Sequence, residues 1–138
     1  MNVITVIVRV LVGLIFVVAG VFAFVFTNPP PLPGMAGAFN DAFVHSHWSM
    51  FVGAAQFTAG VLLLANRYVT IALIILAGFL YNSLAFHVTM MPVGLFFAIP
   101  VMVLWAFLCW RNRASFAALA AGVNVSGGSG GLSPDRSR

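Results

Sequence analysis

Residues 3–26 read VITVIVRVLVGLIFVVAGVFAFVF, a run of 24 residues whose one charge is Arg9. An α-helix rises ~1.5 Å per residue and the hydrocarbon core of a bilayer is ~30 Å thick, so a helix of this length crosses it. A secretory leader has a shorter apolar stretch with its charge in front and a small-x-small site behind. Here the charge lies inside the run, so the run is expected to be a retained transmembrane helix.

Three more segments have the same character: residues 49–65, 69–90 and 93–110. The whole chain agrees with them. Of its 138 residues 62% are hydrophobic and 6% charged, with a mean hydropathy of +1.10. A soluble domain carries charge on about a quarter of its residues. This composition excludes a soluble enzyme, a nucleic-acid-binding domain and a disordered chain. The expected fold is all-α: a polytopic membrane protein, built as a four-transmembrane-helix bundle with a short outer interfacial helix. Residues 1–113 form the transmembrane domain, with an outer loop at 27–48, and residues 114–138 an interfacial helix and flexible tail. The net charge of +4 comes from scattered arginines without a lysine, which give a nucleic-acid backbone no basic stripe to follow. Cys109 is the single cysteine, which excludes an intrachain disulfide and any thiolate-rich metal or iron–sulfur site.

The arginines report orientation. Arg67 lies in the tight turn between the second and third spans, and Arg111 and Arg113 follow the fourth. With four spans these share one side with the N-terminus, while the other side carries Asp41 and no arginine. The positive-inside rule then places both termini in the cytoplasm. Trp48 marks one aromatic belt, and Tyr68, Trp105 and Trp110 the other. TNPPPLPG, residues 27–34, cannot be helical. After it Met35, Phe39, Phe43 and His47 recur every four residues, as on an amphipathic helix lying on the outer surface. Pro92 starts the fourth span and Pro100 is expected to kink it. Beyond it, residues 114–121 extend as a helix that stops at Gly122, and SGGSGGLSPDRSR has a linker-like composition.

Small residues mark the faces that pack, because helices in lipid associate through close backbone approach. Arg9, Gly13, Phe16 and Gly20 share a stripe of the first span. Gly53, Gln56 and Gly60 share one on the second, and Gly78, Asn82 and Ala85 one on the third. Gln56 and Asn82 each lie about seven residues, roughly 10 Å, below the outer boundary. Either the two amides pair across the helices, or they line a polar site for a small ligand such as a quinone head group. Arg9 either snorkels to the inner interface or is met by lipid phosphate, helix carbonyls, the tail or another subunit, since Asp41, Asp135 and the C-terminus lie outside the bilayer. His45, His47 and His87 all fall towards the outer side. They are not spaced as a metal or haem ligand set, and His87 is expected to cap the outer end of the third span. Cys109 is expected to be a reduced, packed thiol.

The third span ends Tyr81-Asn82-Ser83-Leu84-Ala85-Phe86-His87, with Pro92 and Gly94 beyond a short link. This N-x-x-x-F-H pattern resembles the DoxX-like family of small four-helix membrane proteins. Arg9 with the G-x-x-F-x-x-x-G stripe (Gly13, Phe16, Gly20), Gln56 followed by Gly60, and Trp110-Arg111-x-Arg113-x-x-Phe116 agree with it. The resemblance covers roughly residues 5–118. It implies a bacterial or archaeal cytoplasmic membrane and an association with membrane redox complexes, of which thiosulfate:quinone oxidoreductase is the founding example. The family often carries an acid where Gln56 stands; without it proton-coupled chemistry lacks its carrier.

The chain has no carboxylate pair, no nucleophile beside a base and no phosphate loop, so no self-sufficient catalytic constellation is expected. The expected function is an accessory or structural subunit of a larger membrane electron-transfer complex, in contact with lipids and other subunits. The alternative is a quinone- or lipid-binding oxidoreductase subunit with a pocket at the Gln56/Asn82 level. No cofactor or metal is expected to be bound by this chain alone.

Overall fold

The computed structural model describes residues 2–28 and 30–126. Its helices are α1 (Val3–Val25), α2 (Gly34–His45), α3 (Trp48–Leu64), α4 (Val69–Thr89), α5 (Leu95–Arg111) and α6 (Arg113–Ser126), with a 3-10 turn at Pro92–Gly94. The described residues contain helices, turns and loops and no strand. Asn2 caps α1, its side-chain oxygen accepting from the Ile4 amide at 3.4 Å.

α1, α4 and Pro92–Arg111 are long and apolar enough to cross a membrane. α3 has 17 residues, or ~26 Å of helix, and falls short alone. It follows α2 across a bend of 79°, and the two together would make a fourth span. The bend sits at His47, whose φ of 62° is left-handed and ends α2 two residues earlier than the Phe39–Phe43 periodicity implied. Residues 27, 28 and 30–33 are non-helical, as the prolines require.

The bundle is built around α1 and α3, which run antiparallel with their glycines opposed. A Cβ at Gly20 would lie 2.7 Å from the Gly53 carbonyl oxygen, and one at Gly60 2.7 Å from that of Gly13. Only hydrogen fits there, so the two backbones touch. α3 packs on α4, α4 on α5, and α5 returns to α1, closing a ring of four helices. Val12, Phe16, Leu63, Leu73, Leu76 and Leu108 fill its centre and are fully buried. The Phe16 ring meets Phe79 edge-on across the middle at 5.7 Å.

α5 contains Pro100 within a single helical run. One expectation about α6 changes. α6 continues past Gly122 to Ser126, because alanine-rich flanks carry a helix over the ~1 kcal/mol cost of one glycine. The linker-like stretch 127–138, Asp135 included, lies outside the described residues.

Candidate functional site

The two ends of the bundle hold its polar groups. At the first, Ala65 to Tyr68 turn α3 into α4. The Arg67 amide donates to the Leu62 carbonyl at 3.0 Å and the Asn66 amide to that of Leu63 at 3.2 Å. This is a Schellman closure with asparagine in the left-handed position, at φ 54°. The turn aims the Asn66 side chain back under the bundle, where its Oδ1 accepts a hydrogen bond from Arg9 Nη1. Arg9 is 8% exposed, so it neither snorkels nor depends wholly on groups outside the chain. One turn earlier on α1, buried Thr5 accepts from Arg111 Nε at 3.1 Å. Trp105, expected in an aromatic belt, instead donates its indole N–H to the Leu73 carbonyl at 3.0 Å, tying α5 to α4. Cys109 is a free, half-buried thiol beside this core. The arginine end is packed.

The other end is hollow. Buried positions on α4 stop at Leu80, while α3 carries buried residues as far as Ser49. Between the two helices, and under α2, lies a half-open cavity of about 870 Å³. Phe39, Asn40 and Phe43 of α2 form its roof, Trp48, Val52, Ala55 and Gln56 one wall, and Phe79, Asn82, Ser83 and Phe86 the other. Small side chains facing each other, Ala55, Gly78 and Ala85, leave the space. A Cβ built on Gly78 would meet nothing within 4 Å. Gly78 is therefore not a packing residue as its stripe implied, and it lines the cavity instead.

Gln56 and Asn82 face this cavity from adjacent helices, and they do not hydrogen-bond to each other. Asn82 Nδ2 donates to the Gly78 carbonyl at 2.8 Å, one turn back on its own helix, which leaves its Oδ1 free to accept. Gln56 is 6% exposed and its amide has no hydrogen-bond partner among the described residues. Its amide atoms are open to the cavity rather than sealed in the protein, so they are available to a ligand there. A smaller cavity of about 270 Å³ on the α1 side shares Gln56, Val52 and Phe79 and adds Asn40, Ser49 and Ala23.

The mouth is shaped by the third-span pattern. His87 Nδ1 donates to the Met91 carbonyl at 3.2 Å and closes the end of α4. Its ring backs onto Gly94, where any Cβ would collide with it. Phe86 meets Phe39 of α2 with centroids 5.4 Å apart, and Phe39 stacks on Phe43 at 6.0 Å. His45 donates through Nδ1 to the Asp41 carbonyl at 2.8 Å, and His47 forms the hinge. Among the described residues no three of His, Cys, Asp and Glu gather as a metal set would.

Sequence reasoning missed the roles of Asn66 and Thr5. For Asn66 a signal existed, since asparagine directly after an apolar helical run is a common left-handed cap. Compared with protein-family models, with curated proteins and with solved structures, the chain has no match.

Proposed function

We propose that this chain is a four-span integral membrane protein, N-in and C-in, that holds a quinone- or lipid-like amphiphile with its head at the Gln56/Asn82 level. It acts as a small subunit of a larger membrane redox assembly. The observation that carries the binding role is the 870 Å³ cavity with Gln56 in its wall, its amide open to the space and bonded by none of the described residues. Ligand sites are typically concave, mostly apolar spaces of about 300–1,000 Å³ with a few placed polar groups. The lining here is aromatic and aliphatic, with amides and hydroxyls at one level. Such groups orient a ligand but do not carry protons or electrons, so the chemistry belongs to a partner.

The DoxX-like resemblance supports the assembly role, and Asn82 and Phe86 of its pattern line the cavity. The short α3 supports four spans when α2 is counted with it, and the arginines at one end support the orientation. The test is purification of the full chain from its own membranes in mild detergent, with identification of retained quinones, lipids and subunits. Retained amphiphile that disappears in Gln56→Leu, together with co-purifying redox subunits, is the expected result. A protein that retains nothing, or that oxidises a quinol unaided, overturns it. Orientation is read separately from a Cys109-free chain carrying Arg67→Cys, which should be labelled only from the cytoplasmic side.

A further inference from the structure

We propose that the cavity selects amphiphiles with an uncharged head group and excludes the phosphate-bearing lipids of a bilayer. The inference rests on the binding role above and names the class of ligand. It comes from where charge stands in the molecule. No charged side chain and no histidine lines the large cavity or its smaller neighbour. The described arginines, Arg9, Arg67, Arg111 and Arg113, all belong to the opposite end. Asp41, the one described carboxylate, follows Asn40 directly, and Asn40 lines both spaces, so the nearest formal charge to the roof is negative.

A phosphate entering this space would leave water without meeting a cation. Moving an ion into a poorly polarisable interior costs several kcal/mol unless a partner of opposite charge and good hydrogen bonds receive it. The exposed Asp41 adds repulsion at the rim. An uncharged head avoids both costs and satisfies what the cavity holds. The Gln56 amide offers two N–H donors and a carbonyl, and Asn82 offers its Oδ1. A carbonyl, ester or hydroxyl oxygen at that level would partner the Gln56 amide. Phe39, Phe43, Phe79 and Phe86 give flat apolar walls for a ring or chain. The half-open side lets the rest of a tail remain among neighbouring lipids.

The experiment uses the full chain in mixed micelles offered equal amounts of three probes, with adducts counted by native mass spectrometry. Dioleoylglycerol and dioleoyl phosphatidate share their chains and differ only by the phosphate. A benzoquinone with a decyl tail is the third probe, and it distinguishes a ring head from a glyceride head. The expected result is roughly tenfold more adduct with a neutral probe than with phosphatidate, a difference of about 1.4 kcal/mol. Gln56→Leu should remove most of the neutral adduct. Asn82→Arg, at an exposed position in the cavity wall, should reverse the preference without a core penalty. If phosphatidate binds as well as the neutral probes and is lost in Gln56→Leu, the selectivity is wrong while the binding site stands. If no adduct of any class depends on Gln56, the binding role fails and the selectivity falls with it.

Discussion

At the arginine end of the bundle a guanidinium, an asparagine, a threonine and an indole each find a partner on another helix or turn. At the α2 end the Gln56 amide opens on the cavity and finds none among the described residues, and its neighbour Asn82 turns to its own backbone. Both ends are made from the same apolar helices, so hydropathy does not separate them. What separates them is side-chain size and the connection. A four-residue turn holds α3 against α4 at one end, and leucines fill the space between. At the other end small residues face each other under a helix set at 79° to its successor. A filled end anchors a bundle, and a hollow one leaves polar groups without a neighbouring helix to bond.

Four substitutions test this contrast, and the largest effect is expected at the α1–α3 seam that both ends share. Gly20→Leu forces a side chain into backbone contact and should cost about 3 kcal/mol, read as loss of folded protein in detergent unfolding. Survival at wild-type stability would mean that the seam can open. At the arginine end, Asn66→Gly keeps the left-handed turn and removes the acceptor for Arg9. It should cost about 1.5 kcal/mol, the range for hydrogen bonds to charged groups. Wild-type stability there would erase the difference between the ends. At the hollow end the effect shrinks. Gln56→Leu removes an amide that none of the described residues bonds and adds apolar surface to the cavity wall, and it should leave the ligand-free protein within about 1 kcal/mol of wild type. A clear loss of stability would show that this end is packed as tightly as the other. The smallest effect belongs to Asn82→Leu, expected within about 0.5 kcal/mol because the side chain is exposed and bonded only locally.

The helices themselves were legible because long apolar runs and glycine stripes at intervals of three and four are local patterns. The α1–α3 contact through Gly13, Gly20, Gly53 and Gly60 follows from those stripes almost directly. The same reasoning misplaced Gly78, since a stripe says which residues share a face and not whether another helix covers it. It also left open whether Gln56 and Asn82 pair. Asn82 instead bonds the carbonyl four residues back, a local choice that competes with any cross-helix partner and is decided by distance between helices. Arg9's acceptor was illegible for a different reason. The left-handed turn at Asn66 carried a local signal, but which side chain that turn would reach is set by how α1 packs on α3 and is not encoded in it. α3 shows the limit of counting residues, as its 17 fall at the edge of what a bilayer needs.

The Arg9–Asn66 contact joins residues 57 apart, and that separation has a consequence for how the protein is made. A ribosome adds about 5–20 residues per second, so roughly 3–11 s separate the addition of Arg9 from that of Asn66. During that interval the arginine has no α3–α4 turn to bond, and for most of it no α3 backbone is present to touch Gly13 and Gly20. Arg9 stands on the second turn of α1, close enough to one surface for its side chain to reach lipid phosphates while it waits. Emergence of the α3–α4 turn then withdraws it from those phosphates. A chain truncated before residue 66 would hold α1 in that waiting state, with its arginine still accessible at the membrane surface.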